Sequence, residues 1–331
     1  MTGMPAIGSF PRDRLSVWAG LLVLYLVWGS TYLAIAVAIE TIPPFTMGSM
    51  RYLLAGLLLL SFVALRYRST LQMPSLVELR DSLIVGALLA AVGNGFVSFA
   101  EQTIPSGITA LFIALMPAWM AILSWLAFRE RLPLVVVIGI VVGLVGVAIL
   151  AWPVGGPTGS LDPLGLAAVL LSPVGWAIGS LFAARRARLP RPALLATAMQ
   201  LILGGLTLGL FAVLTGEPAR FDPAAVSERS LVAVAYLVTF GSLLAYSAYA
   251  WLLAHAPIPR IATYAYVNPV VAVILGAVVL SEPITPRTIV AGAVIVVAVA
   301  LIVTARHRPF RDAVAPTRPS GVPAERSTEA A

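Results

Sequence analysis

Pro117-Ala-Trp-Met-Ala-Ile-Leu-Ser-Trp-Leu-Ala-Phe-Arg-Glu130 is answered 152 residues later by Pro269-Val-Val-Ala-Val-Ile-Leu-Gly-Ala-Val-Val-Leu-Ser-Glu282. In both stretches a proline stands 13 residues ahead of a glutamate. Between them lie an Ile-Leu pair and then a small residue: Ile122-Leu123-Ser124 in the first, Ile274-Leu275-Gly276 in the second. Pro105 and Pro257 keep the same offset, and Met50-Arg51 with Ala55-Gly56 returns 149 residues on as Met199-Gln200 with Gly204-Gly205. A chain that repeats at about half its length reads as two copies of one unit.

Composition says where those copies sit. Of 331 residues 60% are hydrophobic and only 11% charged, with a mean hydropathy of +0.98. A soluble domain carries roughly 25% charged residues, so the deficit points to a polytopic membrane protein embedded in a lipid bilayer. There is no cysteine, which excludes disulfides, thiol catalysis and thiolate metal sites. The two histidines, His255 and His307, fall outside the expected membrane core. All 21 basic residues are arginine. A pI near 10.2 would suggest nucleic acid if those arginines made a patch. They lie instead at membrane edges, and no nucleic-acid partner is expected.

Apolar runs of spanning length predict ten helices, over 16–38, 45–65, 82–100, 107–128, 134–152, 163–183, 194–215, 230–252, 259–281 and 287–305. Residues 1–15 read as a cytoplasmic lead-in and 306–331, rich in Pro, Ser and Arg, as a disordered cytoplasmic tail. The first run is too long for a signal-peptide core and is expected to be a retained anchor, despite Ala34-Ile35-Ala36 resembling a cleavage site. With the N-terminus inside, 17 arginines fall on the inner side; only Arg220, Arg229 and Arg287 are outer, and Arg51 is embedded. That is a strong positive-inside bias, and it places both termini in the cytoplasm. Five spans per copy is odd, so the second copy inserts upside down. The expected fold class is an all-α polytopic membrane protein: two inverted five-helix repeats, 16–152 and 163–305, around a central cavity.

Val27-Trp28-Gly29-Ser30-Thr31-Tyr32, Arg51-Tyr52-Leu53-Leu54-Ala55-Gly56, and the Glu130-Arg131 and Glu282-Pro283 endings resemble the EamA family of the drug/metabolite transporter superfamily. The resemblance covers both halves, about 16–305. It implies a ten-helix basket with a central cavity, helices 5 and 10 at the periphery, and export of small metabolites or drugs across the inner (plasma) membrane. Lipid-like cargoes also fall within what the family hosts.

Polar and aromatic residues inside the spans sort into helical faces. Tyr25, Trp28 and Tyr32 share a face in the first span, and Asn94, Ser98 and Glu101 in the third. Ser172, Trp176 and Ser180 share one in the sixth, Ser242, Tyr246 and Tyr249 in the eighth, and Tyr264 and Asn268 in the ninth. Unpaired polar groups in hydrocarbon are costly, so these rows are expected to face a shared cavity. The substrate-binding candidates are Trp28, Tyr32, Asn94, Ser98, Trp176, Tyr246, Tyr249, Tyr264 and Asn268. The bland alternative, residue by residue, is an interfacial anchor for Trp and Tyr or an interhelical hydrogen bond for Ser and Asn.

Glu101 is the coupling candidate, for a proton or a cationic substrate, set against a solvated turn residue ahead of Pro105. Arg51 is the gating or anion candidate. A central arginine costs at least about 2.5–3.5 kcal/mol, which snorkelling outward would relieve; its repeat partner is Gln200, so the charge is no shared structural need. Glu130 and Glu282 read as structural helix ends that take backbone or arginine hydrogen bonds where helix 4 turns into 5 and helix 9 into 10. Glu40 reads as a surface residue. Gly139, Gly143 and Gly146 form a close-packing strip, within the chain or across a homodimer.

These features predict a secondary transporter of small organic solutes working by alternating access, with no catalytic residue, metal or cofactor. No nucleotide-binding loop is present, lysine being absent altogether. An intramembrane enzyme is disfavoured because Asp13, Asp81, Asp162, Asp222 and Asp312 all fall outside the spans and no histidine lies in one. A lipid-handling or other non-transport membrane protein is the alternative.

Overall fold

The computed structural model describes residues 12–68, 72–152, 161–256, 258–261 and 263–305. Most of the expected lead-in and all of the expected tail lie outside them. Among the described residues nine helices are long and apolar enough to cross a membrane. They are α1 (Leu15–Ala38), α2 (Pro44–Arg66), α3 (Leu76–Ala100), α4 (Ser106–Phe128), α5 (Leu134–Ala151), α6 (Pro163–Arg185), α7 (Ala193–Leu214), α8 (Glu228–Tyr249) and α10 (Pro286–Ala305). The apolar α9 (Tyr264–Leu280) is shorter, at 17 residues. There is no strand among the described residues.

Local chemistry sets the helix ends. Pro44 and Pro163 open α2 and α6, where proline's missing N–H costs nothing. The Asp162 carboxylate accepts the Gly165 N–H at 2.7 Å. The third helix begins at Leu76, six residues before the expected position, because Ser75 and Glu78 form a reciprocal capping box. Glu78, Arg80 and Asp81 in its first turns hide that start from a hydropathy reading. The ninth span, expected from 259, is a short turn (Ile258–Ile261) followed by α9 proper. At the far ends of α4 and α9, Arg129 (φ 54°) and Ser281 (φ 56°) adopt the left-handed conformation although neither is glycine. They are 152 residues apart, and each immediately precedes its repeat's glutamate.

Three helices carry a π-helical stretch: Leu24–Trp28 in α1, Ala87–Gly95 in α3 and Leu237–Leu244 in α8. Those of α3 and α8 start 150 residues apart. Such wide turns are uncommon and often sit at functional sites.

The heaviest packing joins helices from opposite halves of the chain: α2 with α7, α5 with α10, α3 with α6 and α7, α4 with α9, and α1 with α8 and α9. Small residues allow it. A Cβ on Gly204 of α7 would stand 2.7 Å from the Gly86 carbonyl oxygen of α3, so this crossing requires glycine. The strip of Gly139, Gly143 and Gly146 on α5 is covered by Ala298, Ile302 and Ile295 of α10 and by Leu115, so it is spent within the chain. Outward, α2 exposes Leu54, Leu57, Leu58 and Phe62, an apolar face at helical spacing that suits lipid.

Candidate functional site

The aromatic row on α1 is the starting point. Trp28, at the end of the first π stretch, meets Tyr246 (ring centroids 5.8 Å apart) and Tyr249 (5.5 Å) from α8 and Tyr264 (5.1 Å) from α9. Edge and tilted ring contacts of this kind hold a box of side chains in place. Trp28, Tyr246 and Tyr264 line a cavity of about 120 Å³, together with Tyr32, Asn94, Trp176, Arg51 and Asn268. Tyr249 stands behind Trp28 and off the cavity wall.

Residues at equivalent places in the two halves meet here. Met116-Pro117 of α4 and Asn268-Pro269 of α9, 152 residues apart, all line the cavity, and each half also contributes a tryptophan, Trp28 and Trp176. Gly93 in the π stretch of α3 and Gly241 in that of α8 line it too. Pro117 follows a two-residue break in α4 at Ala114–Leu115; Pro269 lies inside α9. A proline deprives the preceding turn of a backbone hydrogen bond, which puts irregular backbone beside the hollow, where it is tolerated. No residue of α5 or α10 lines the cavity.

Ser98 is buried and is not part of this cavity's wall; its hydroxyl donates to the Asn94 carbonyl at 3.1 Å. A serine can satisfy itself on its own helix, and spacing alone did not reveal this. Ser242 is also buried, and it accepts the Arg51 Nε–H at 3.1 Å.

Arg51 does not snorkel. It is 4% exposed; its guanidinium carbon lies 4.9 Å from the Tyr52 ring centroid, and the side chain forms part of the cavity wall. Ser242 lies well along α8 from Glu228, so the arginine reaches inward.

Glu101 likewise is not a solvated turn residue. It is 9% exposed, and neither carboxyl oxygen has a partner. The turn at 101–104 folds it under the start of α4. Burial, reinforced by the negative charge of Glu282, raises its carboxyl well above the usual carboxylate range.

The repeated glutamates differ. Glu282 does not serve its own turn: its carboxylate crosses to α4 and accepts the N–H groups of Ser106 (2.7 Å) and Gly107 (3.1 Å). Those N–H groups have no partner within the helix, and the helix dipole favours an anion there. Glu130 pairs with Arg185 in a half-exposed ion pair. A third acid, Glu217, was missed in the sequence. It is 2% exposed and caps the start of α2 through the Phe45 N–H (3.1 Å), the Thr46 N–H (2.7 Å) and the Thr46 hydroxyl (2.8 Å). Its loop position gave no periodic signal. Glu40 is exposed, 3.6 Å from Arg229. Among the described residues no three His, Asp or Glu side chains form a group able to hold a metal.

With this geometry in place, three comparisons bear on the chain. The model of a family described as the EamA-like transporter family matches residues 16–152 and 163–304. The chain is 37% identical over 308 residues to the "Uncharacterized inner membrane transporter YedA" of Escherichia coli (strain K12), covering 92% of this chain and 96% of that protein. It is 24% identical over 289 residues to an "Uncharacterized transporter" of Archaeoglobus fulgidus, covering 87% and 99%. A solved chain described only as "Crystal structure of protein" shares the fold at a TM-score of 0.57 and 22% identity, over 88% of this chain and 96% of that one.

Proposed function

This chain belongs to the EamA-like transporter family of multi-pass membrane proteins, and from that membership we propose that it is a secondary transporter exporting small organic metabolites or drugs by alternating access. Ten crossings in two inverted five-helix repeats would place the arginine-rich ends and both termini in the cytoplasm. The observation that carries the reading is the cavity whose wall takes equivalent positions from both halves, Met116-Pro117 with Asn268-Pro269, 152 residues apart. A hollow framed by counterparts inverted in the bilayer can open to either side by the same movement made in opposite directions.

The closures support this mechanism. At the arginine-poor end Glu282 ties α9 to the start of α4. At the other end the positions equivalent to Ser106 and Gly107 are Ile258 and Pro259. Proline has no N–H, so Glu130 has one backbone donor to meet where Glu282 has two. In this reading the arginine-poor gate is the firmer one, and Glu130 is held by Arg185 while the opposite gate is shut. Glu101, buried without a partner beside Glu282, is the proposed proton-coupling group.

Counterflow in proteoliposomes tests the function. Vesicles preloaded with an unlabelled panel of small organic solutes are expected to accumulate at least one labelled member. Counterflow of none of them, with lipid scrambling instead, would replace the reading with lipid handling.

A further inference from the structure

The transporter reading leaves the chemistry of the cargo open, and Arg51 bears on it. Its side chain is buried inside the bundle. Its Nε–H donates to the Ser242 hydroxyl at 3.1 Å, and its guanidinium carbon lies 4.9 Å from the Tyr52 ring centroid. A guanidinium carries five N–H donors and a full charge, and these contacts answer only part of either. Among the described residues the ion pairs are Arg80–Asp81, Arg185–Glu130 and Arg229–Glu40, and Arg51 belongs to none. No carboxylate lines the cavity on which it opens.

Two further features of the same wall select a ligand. Trp28, Tyr246 and Tyr264 make an aromatic box. Asn268 is 8% exposed, and its Oδ1 has no partner, so an acceptor waits for a donor. The charge is single, because the equivalent position in the other half is Gln200.

We infer that the cavity is a binding site for a small aromatic monocarboxylate, its carboxylate on the Arg51 guanidinium, its ring in the Trp28–Tyr246–Tyr264 box and an N–H or O–H donor on Asn268. A planar guanidinium matches a carboxylate with two parallel hydrogen bonds. In a cavity walled by apolar rings that pairing is weakly screened. A cationic ligand would meet an unopposed positive charge, and a neutral one would leave it unpaired. As a statement about cargo this rests on the transporter reading; as a statement about binding it does not.

The test uses the purified full-length chain and three compounds with one body: indolepropionate, indolepropionamide and indolepropylamine. Calorimetric titration is expected to show the carboxylate binding roughly ten- to hundredfold tighter than the amide, as a charge-assisted hydrogen-bond pair implies, and the amine not binding. Arg51→Gln should bring the carboxylate down to the amide's affinity and leave the amide unchanged. Equal binding of carboxylate and amide, preference for the amine, binding of none of the three, or an unchanged Arg51→Gln protein overturns the inference. Should Arg51→Gln fail to fold, Ser242→Ala, which removes the hydroxyl orienting the guanidinium, is expected to weaken the carboxylate severalfold and spare the amide; equal losses overturn it. Counterflow of the same compounds separates the two readings. Carboxylate-selective binding without counterflow keeps the anion site and removes the transporter, whereas counterflow of the amine or amide alone keeps the transporter and removes the anion site.

Discussion

Glu101 is the residue at which burial and chemistry conflict most. Its carboxyl is enclosed without a hydrogen-bond partner, with Glu282 close enough to disfavour ionisation further. Its carboxyl is raised, so it keeps its proton in the folded chain at pH values where the unfolded chain has lost it. Between the ordinary carboxylate range and that raised value the folded state therefore binds the extra proton, and stability falls as pH rises. Thermal unfolding in detergent, followed from about pH 5 to about pH 9, is expected to show that fall in the native chain and a flatter profile for Glu101→Gln. The same variant should transport with less dependence on an imposed pH gradient. Parallel profiles for the two proteins would remove Glu101 as a proton carrier. Neither Glu101 nor Arg51 could be placed from sequence. An arginine about two turns into a span reads equally well as snorkelling or as facing a hollow, and an acid before Pro105 reads as a turn. What decides is whether another helix covers the position, and that information lies in Ser242 and Glu282, 191 and 181 residues away in the chain.

At the scale of elements, the repeated proline-to-glutamate stretch made the duplication legible, and the apolar runs located the nine helices of spanning length and the shorter α9 to within a few residues, apart from the starts of α3 and α9. The fate of each glutamate was not legible. Both helices end on a non-glycine residue in the left-handed conformation, a turn no propensity marks, and this turn throws the next carboxylate back across the helix end. Glu282 then lands on two backbone N–H groups, with Gly276 so close beneath it that a side chain there would strike the carboxylate. Removing such a cap strands buried donors. Glu282→Ala is therefore expected to lower stability by about 2–4 kcal/mol, and Glu130→Ala, which breaks a half-exposed pair, by about 0–1 kcal/mol. Denaturation of the purified variants compares the two directly, and equal losses would show that the glutamates act alike. Gly276→Ala should reproduce part of the Glu282→Ala effect with the carboxylate still present.

At the scale of the whole molecule, duplication in sequence does not mean two domains in space. The main partners of each helix lie largely in the other half: α2 on α7, α5 on α10, α4 on α9 and α1 on α8 and α9. Contacts inside one half are few, since the short loops join helices that pack elsewhere. One half alone would therefore present to lipid the faces that carry Arg51, Asn268 and the glycines of α3, α5 and α7, and polar or notched faces are poorly served by hydrocarbon. The chain cut in the connection between α5 and α6 provides the test. Expressed singly, each half is expected to be degraded or to aggregate. Expressed together, the two should copurify and recover the ligand binding of the intact chain, because the α2–α7 and α5–α10 seams need no covalent link. Stable, monodisperse single halves would mean that each repeat is a folding unit, and the interleaving would then be a late docking step. Recovery only in the pair would mean that the cavity and the fold form together. Movement would then have to pass through the α1, α2, α3, α4, α6, α8 and α9 lining, with α5 and α10 acting as fixed outer struts.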